Sequence, residues 1–313
     1  MNQSEQRIGV LAAIFAYLLW GFLPLYWKQL EHISPGEVLA YRIIWSLVFM
    51  LIILAVRQQL GHFIQEIRRL FSNKKQVTGM IFASIFISMN WFVFIWAVTS
   101  ERMVEASLGY YINPLINVLL AMIFLGERFN KWQGTSIILA LIGVSIMTLY
   151  YGVIPYAAFL LAITFGLYGL LKKLVNVGAL IGLTIETLFM APFALIYVMI
   201  FHSPTSNLAN YTFDTWAFLI GAGAATAIPL LLFSVSAKRI SLSLIGFLQY
   251  IGPTLMLILG VFLYNEPFSQ IQLIAFVLIW LGLFIFTTSK TPLFYKFTSR
   301  YTIASHIKEK EFK

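Results

Sequence analysis

Hydrophobic residues occupy ten long stretches of this chain, and short polar segments separate them. The stretches cover residues 8–27, 37–56, 77–98, 103–124, 132–150, 153–171, 179–201, 215–236, 242–263 and 269–288. Each is close to the roughly 20 apolar residues that an α-helix needs to cross a hydrocarbon core of about 30 Å. The pattern therefore predicts an all-α polytopic membrane protein with ten transmembrane helices.

Positive charge falls almost entirely on one side of this arrangement. With the N-terminus inside, 18 of the 21 Lys and Arg residues lie on the inner side. They are Arg7, Arg57, Arg68, Arg69, Lys74, Lys75, Arg128, Lys131, Lys172, Lys173, Lys238, Arg239, Lys290, Lys296, Arg300, Lys308, Lys310 and Lys313. Because Lys and Arg near helix ends stay cytoplasmic, we expect both termini to be cytoplasmic, in a plasma (inner) membrane protein.

Composition agrees with a membrane protein. The chain is 60% hydrophobic and 11% charged, which is too apolar for a soluble domain. The net charge of +9 indicates anionic lipid headgroups at the cytoplasmic loops and tail rather than nucleic acid. The basic tail, 290–313, either lies on the inner leaflet or is solvated. The absence of cysteine excludes disulfides and thiolate metal sites.

The chain contains an internal repeat. Residues 109–148 and 248–287 align without a gap at an offset of 139. Residues aligned in this way include Tyr111 with Tyr250, Pro114 with Pro253, Glu127 with Glu266, Phe129 with Phe268, Gln133 with Gln272 and Gly143 with Gly282. A repeat of five spans enters the membrane from the opposite face, so the halves are expected to be inverted, as in many secondary transporters. We predict repeats at 1–151 and 152–289, followed by the tail.

Two segments of the first half carry a family resemblance. Glu105–Leu115 and Phe124–Phe129 resemble the EamA repeat of the drug/metabolite transporter superfamily, most of all its RarD branch, often labelled chloramphenicol-sensitive protein. The resemblance covers essentially the whole chain. It implies two inverted five-helix repeats, a central cavity that opens alternately to each side, and export of small metabolites or drugs. The second copy has Gly252 in place of Asn113, so a function of this amide would not be duplicated.

Arg42 and Glu186 are the ionisable residues most clearly inside apolar stretches, where an unpaired charge is unfavourable by several kcal/mol. One interpretation pairs them with each other across the repeat interface. The preferred one pairs Arg42 with Glu105, and Glu186 with Lys172 or Lys173. Both pairs could simply hold helices together. Alternatively, Glu186 is the proton-coupling carboxylate, because it is the one acid well inside an apolar stretch.

Four prolines predict kinked helices whose freed backbone carbonyls can bind a ligand. They are Pro24, Pro114, Pro229 and Pro253. Aromatic and amide residues near them, with Arg42, form the predicted substrate-binding set: Tyr17, Trp20, Arg42, Asn90, Trp91, Tyr110, Asn113, Asn117, Gln249 and Tyr250. A broad apolar cavity with few hydrogen-bonding groups suits amphipathic organic molecules. The small residues of Gly221–Ala225 predict close helix packing instead.

Other functional classes have less support in the sequence. There is no P-loop and no HExxH motif, so we expect neither a nucleotide-driven pump nor a metal enzyme, and no cofactor. A symmetric ring of charges, as in many channels, is not evident. The sequence favours a secondary transporter that exports a small organic substrate, coupled to protons, as a monomer or homodimer. The alternatives are an uptake or exchange carrier for an anionic metabolite held by Arg42, and a membrane enzyme or lipid-handling protein.

Overall fold

A computed structural model describes residues 3–99, 103–152, 156–200, 211–263 and 268–289. Within these ranges the chain forms twelve α-helices. They are α1 (Gln3–Trp27), α2 (Pro35–Val56), α3 (Leu60–Phe71), α4 (Lys74–Thr99), α5 (Met103–Leu125), α6 (Lys131–Tyr151), α7 (Tyr156–Leu174), α8 (Ala179–Ile200), α9 (Phe213–Arg239), α10 (Leu242–Gln249), α11 (Ile251–Leu263) and α12 (Gln270–Thr288).

The ten predicted spans are confirmed. Ten helical segments of the described residues are long and apolar enough to cross a membrane, and each overlaps one predicted stretch. Eight are single helices, α1 is prolonged by a 3-10 turn at Lys28–Leu30, and α10 and α11 together form the ninth span. The break between α10 and α11 falls at Tyr250, three residues before Pro253. The protein is therefore an all-α integral membrane protein.

Helix α3 lies in a segment that the sequence analysis treats as a loop. Its apolar residues recur at helical spacing, which produces an amphipathic helix too short to cross a membrane. Phe63 and Leu70 are buried in a hydrophobic cluster that also contains Ile185. Ile64 and Phe71 on the adjoining strip stay exposed.

The helices group into two compact units. The first comprises α1–α5 and α7–α11. In it α5 and α4 pack against α7, while α1 and α2 pack against α9 and α2 also packs against α8. Five helices, α2, α4, α7, α8 and α9, therefore surround the interior of the first unit. They carry the charged side chains of the candidate site.

Helices α2 and α9 approach closely at Gly223. A Cβ atom there would overlap the backbone of Trp45, so the predicted packing role of this glycine-rich run is confirmed. The Ser46 hydroxyl donates to the carbonyl of Arg42 at 2.5 Å, and its oxygen lies 3.1 Å from the carbonyl oxygen of Gly223. This close crossing brings Arg42 next to Thr226, one turn along α9.

The second unit contains α6 and α12, which begin in the same way. Each starts with a capping box, in which the N-cap side chain accepts from the third residue's N–H and that residue's amide oxygen accepts in return. Asn130 and Gln133 form the box of α6, and Ser269 and Gln272 form that of α12. The aligned glutamines of the repeat therefore have the same structural role, as part of a capping box.

The two helices also exchange matching close contacts. A Cβ on Gly143 of α6 would lie 2.8 Å from the carbonyl oxygen of Ala275 in α12. A Cβ on Gly282 of α12 would lie 2.9 Å from the carbonyl oxygen of Ser136 in α6. All four positions are equivalent at the repeat offset, so the contact is reciprocal.

Candidate functional site

Arg42 lies in the second turn of α2, which begins after the N-cap residue Ser34. Its Nε donates a hydrogen bond to Thr226 Oγ1 at 3.1 Å. Its guanidinium carbon lies 5.0 Å from the ring centroid of Trp27 and 4.9 Å from that of Trp91. Such cation–π contacts are worth about 0.5–2 kcal/mol, depending on how far the cation is shielded from water. Arg42 is thus held by two indole rings and one hydroxyl.

No carboxylate of the described residues forms an ion pair with Arg42. The direct pair with Glu186, the less favoured interpretation, does not form, because Glu186 pairs with Lys172. The side chain of Glu105, the other predicted partner, lies outside the described residues. The Tyr110 hydroxyl is near enough to Arg42 for an electrostatic interaction.

Both carboxylate oxygens of Glu186, in α8, have a hydrogen-bond partner. Its carboxylate accepts from Lys172 Nζ at 2.8 Å and from the Tyr168 hydroxyl at 3.0 Å. The exposed fractions of the Glu186 and Lys172 side chains are 2% and 4%. The predicted pairing of Glu186 with Lys172 is therefore confirmed, and Tyr168 is an additional partner that the sequence analysis missed.

Lysines tie the carboxyl-terminal ends of α7 and α9 together. Lys173 donates to the carbonyls of Ala237 and Ile240, at 3.3 and 2.5 Å. In return, Lys238 donates to the carbonyl of Val175, just beyond α7. Carbonyls at a helix end lack intrahelical partners and favour nearby cations. The two helix ends are therefore capped reciprocally.

Further contacts join other helices to this end, which we term the lysine-rich end. Arg239 pairs with Glu5 of α1 at 2.8 Å. The backbone N–H of Asn176 donates to Gln76 of α4 at 2.5 Å. These residues all belong to segments that the charge pattern predicts to be cytoplasmic.

Aromatic residues hold the opposite end, which we term the aromatic end. The Tyr26 hydroxyl donates to the carbonyl of Phe218 at 2.5 Å, which joins α1 to α9. His32 and Thr215 are hydrogen-bonded at 3.2 Å. Trp27 and Trp45 pack against the buried hydrophobic side chains at this end.

A small cavity, the central chamber, lies between α2, α4, α7, α8 and α9. Its lining includes Ile43, Trp91, Tyr168, Glu186, Thr187 and Met190. Trp91 links the chamber to Arg42, since its ring also lies beside the guanidinium. The chamber therefore includes the Glu186 carboxylate and, at Trp91, a side chain that contacts Arg42.

Tyr17 and Trp20 of the predicted set lie in an aromatic cluster. The Trp20 ring is 5.5 Å from Tyr17, 5.8 Å from Phe165 and 5.9 Å from Phe233, between centroids. The hydroxyl of Tyr17 is buried and has no hydrogen-bond partner among the described residues. The cluster continues to Tyr168, which stacks on Phe233.

The predicted amide residues form a separate buried cluster between α5 and α10. Asn117 donates to Asn113 at 2.9 Å and to Gln249 at 3.3 Å. The Tyr250 hydroxyl donates to the carbonyl of Tyr111, its equivalent in the repeat, at 3.2 Å. These polar groups bond to one another and to backbone, which suits helix packing as well as ligand binding.

Asn90 joins α4 to α7, since its side-chain amide donates to the carbonyl of Leu161 at 2.9 Å and to Thr164 Oγ1 at 3.1 Å. Of the ten predicted binding residues, Trp91 lines the chamber, and Arg42 lies beside Trp91. Their role in substrate binding stays a prediction.

The four predicted prolines do not all occupy the same kind of position in their helices. Pro24, Pro114 and Pro229 lie inside α1, α5 and α9, as predicted. Pro253 lies in the first turn of α11, after the break, where helical N–H groups have no intrahelical acceptor. Pro192 lies inside α8, and the sequence analysis missed it although it interrupts an apolar stretch.

Comparison with known proteins identifies the family of this fold and site. The profile of the EamA-like transporter family matches residues 7–149 and again residues 154–288. The chain belongs to the EamA family. Its two matches together cover nearly all of the described residues, and the predicted resemblance is confirmed.

Bacterial EamA proteins share much of this sequence. The uncharacterized transporter YojE of Bacillus subtilis (strain 168) is 46% identical over 290 residues, which are 93% of this chain and 97% of that protein. The protein RarD of Salmonella typhimurium is 42% identical over 287 residues, 91% of this chain and 96% of that protein. A solved crystal structure shares the fold, with a TM-score of 0.71, 20% identity, and coverage of 92% of this chain and 98% of that one.

Family membership establishes the general class. The protein is an integral membrane transporter rather than an enzyme, and its substrate is a small molecule. Within this EamA site, sequence reasoning missed Trp27, Tyr168 and Thr226. Tyr168 lies one helical turn before Lys172 in the same apolar stretch, so the sequence offered a signal for its contact with Glu186.

Proposed function

We propose that this EamA protein is a secondary active transporter that exports small organic molecules through the central chamber by alternating access. The observation that carries the proposal is a cavity lined by apolar side chains and Glu186, with the Arg42 guanidinium carbon 4.9 Å from the ring of Trp91 in its wall. Ionisable residues inside membrane spans usually mark substrate or ion pathways. An apolar chamber with few polar groups suits an amphipathic substrate.

Alternating access requires that each end of the chamber can open in turn. Contacts close both ends of the first unit: lysine–carbonyl bonds at the lysine-rich end, and tyrosine and histidine bonds at the aromatic end. Hydrogen bonds between neutral groups are individually worth about 0.5–1.5 kcal/mol, and those of a charged lysine about 1.5–3 kcal/mol. They are weak enough to be exchanged during a transport cycle.

Two inverted repeats, 1–151 and 152–289, are part of this proposal. The reciprocal glycine contacts of α6 and α12 and their equivalent capping boxes support it. Inverted repeats place a substrate site at their interface and permit one half to rock against the other.

Transport itself can be tested with purified protein in liposomes. We expect uptake of at least one labelled compound from a panel of amino acids, nucleosides, organic acids and antibiotics, with the compound recovered unmodified. A substrate recovered in altered form without net flux would contradict the proposal.

Proton coupling through Glu186 is the finer part of the proposal. Protonation would discharge the carboxylate and weaken its pair with Lys172, which gives the chamber two electrostatic states. Glu186→Gln should keep counterflow, the exchange of substrate without a gradient, but lose flux driven by a pH gradient. Glu31→Gln, at an exposed position, is the matched control. If Glu186→Gln shows the same gradient-driven flux as the native protein, proton coupling through Glu186 is contradicted.

Orientation is proposed from the charge pattern, with both termini in the cytoplasm of the plasma membrane. Reporter tags after Lys313 or within residues 57–76 should give cytoplasmic signals, and a tag near Asp214 an external one. A cytoplasmic signal from residues 202–214 would contradict both the topology and the inverted repeat.

A further inference from the structure

The guanidinium of Arg42 has unused hydrogen-bonding capacity. It carries five N–H donors, and the Nε donor bonds to Thr226. Within the described part of the chain, the donors of its two terminal nitrogens have no acceptor. The two indole rings stabilise the charge, with their centroids 5.0 and 4.9 Å from the guanidinium carbon, but an indole has no lone-pair acceptor for these donors.

A cation in this position favours an anionic ligand. A charge inside a membrane span is unfavourable by several kcal/mol unless it is paired or wet. An arginine presents its terminal N–H groups as a fork that matches the two oxygens of a carboxylate. We infer that Arg42 binds the carboxylate of the transported substrate, which is therefore an amphipathic organic acid. This inference rests on the proposed transport function.

The charge balance favours a monoanion over a phosphate monoester. Glu186 lines the chamber and its charge is neutralised by the ion pair with Lys172. A phosphate monoester carries about −1.5 to −2 charges at neutral pH, so Arg42 alone would leave part of that charge uncompensated. A carboxylate has one charge and is neutralised by one guanidinium.

The rest of the substrate follows from the walls of the chamber. Ile43 and Met190 line it, and Trp91 contributes to both the chamber and the Arg42 contact. The cavity has a volume of about 10 Å³, room for about one water molecule, so it must widen to admit a substrate. An apolar or aromatic body extending from the carboxylate toward Glu186 would then contact these side chains. Small hydrophilic acids lack such a body.

Matched acids and amides test the inference on the native protein without any mutation. Binding to purified protein in detergent is measured by thermal shift and by calorimetry for benzoate against benzamide, and for octanoate against octanamide. Hydrogen bonds to a charged group are worth about 1.5–3 kcal/mol, so the acids should bind at least about tenfold more tightly. Phenyl phosphate is the third probe and should bind more weakly than benzoate. Equal binding of acids and amides, or tighter binding of phenyl phosphate, would overturn the inference.

Variants assign the effect to Arg42. Arg42→Gln should abolish the preference for acids, and Arg42→Lys should keep part of it, because it retains the charge but not the fork. Arg57→Gln removes an exposed arginine at the end of the same helix and should bind acids like the native protein. An unchanged acid preference in Arg42→Gln would overturn the inference. If that variant does not fold, the acid and amide comparison on the native protein decides.

Counterflow in liposomes separates this inference from the transport proposal. Binding of acids without movement of any probe would contradict transport and leave the carboxylate site supported. Equal counterflow of benzamide and benzoate, unaffected by Arg42→Gln, would support transport and overturn the carboxylate site.

Discussion

Arg42 and Glu186 both place a charge inside an apolar helix, and the protein satisfies the two charges in different ways. Glu186 has an ammonium group and a hydroxyl within hydrogen-bonding distance, and its pair with Lys172 is almost completely buried. Arg42 has one hydroxyl and two aromatic rings, with no carboxylate partner among the described residues. One charge is therefore neutralised by the protein, and the other leaves donors for a ligand.

This difference separates two tasks that a transporter has to perform. A substrate must be bound and released, so its binding group should keep free donors between cycles. A coupling or locking group should be satisfied within the protein, so that its state changes only when protonation or rearrangement breaks the pair. Arg42 suits the first task and Glu186 the second.

The largest expected effect is the loss of one partner from the buried ion pair. Glu186→Gln keeps an acceptor for Tyr168 but leaves Lys172 charged, buried and unpaired. Removing one member of a buried pair destabilises a protein by about 3–5 kcal/mol. We expect a clearly lower melting temperature for Glu186→Gln in detergent, and a much smaller decrease for Arg42→Gln, which leaves no opposite charge behind.

A second substitution serves as the control for this prediction. Glu186→Gln combined with Lys172→Met removes both charges and should recover most of the lost stability. If the double variant melts as low as the single one, the ion pair is not the source of the effect.

Much of the fold follows directly from the sequence. The ten spans depend on apolar stretches of membrane-crossing length, and lipid forces such stretches into helices because backbone groups must be satisfied internally. Helix α3 was missed because the search for spans considers length, whereas α3 is defined by the spacing of residues such as Phe63 and Leu70. The same spacing rule, applied to the loops, would have found it.

The site was only partly predictable, for a physical reason. Lys172 and Glu186 could be paired in advance because an unpaired charge in lipid is so unfavourable that a nearby partner is expected. Thr226 and Trp27 could not be assigned to Arg42, because which aromatic or hydroxyl group meets a side chain depends on how α1, α2 and α9 cross. Sequence spacing within one helix carries no information about that crossing.

The next effect in size concerns the hydroxyl that also bonds to Glu186. Tyr168→Phe removes a donor to a carboxylate, and hydrogen bonds to charged groups are worth about 1.5–3 kcal/mol. Tyr250→Phe is a matched control, because this equally buried hydroxyl donates to a neutral backbone carbonyl. We expect thermal or denaturant unfolding to show a larger loss for Tyr168→Phe. A loss no larger than that of Tyr250→Phe would indicate that Glu186 does not depend on this bond.

The aromatic contacts of Arg42 should be measurable as a coupling energy. In a double-mutant cycle of Arg42→Gln with Trp91→Leu, we expect about 0.5–2 kcal/mol of coupling in the free energy of unfolding. The same cycle with Trp20→Leu should be additive, since Trp20 packs in the separate cluster with Phe165 and Phe233. Equal coupling in both cycles would contradict a specific role for Trp91.

The smallest effect is expected at Thr226, where a single neutral hydroxyl accepts from Nε of Arg42. Thr226→Val keeps the shape of the side chain and removes the acceptor. Because Arg42 is only partly buried and water can replace the hydroxyl, we expect the free energy of unfolding to fall by about 0.5–1.5 kcal/mol, at or below the low end of the range for hydrogen bonds to charged groups. Thr148→Val is the control, because that hydroxyl bonds to the carbonyl of Val144 in its own helix.

The guanidinium of Thr226→Val keeps its terminal donors but loses one group that orients them. Benzoate should therefore still bind in preference to benzamide, with affinity reduced severalfold. A complete loss of the acid preference, as expected for Arg42→Gln, would mean that Thr226 itself contacts the ligand.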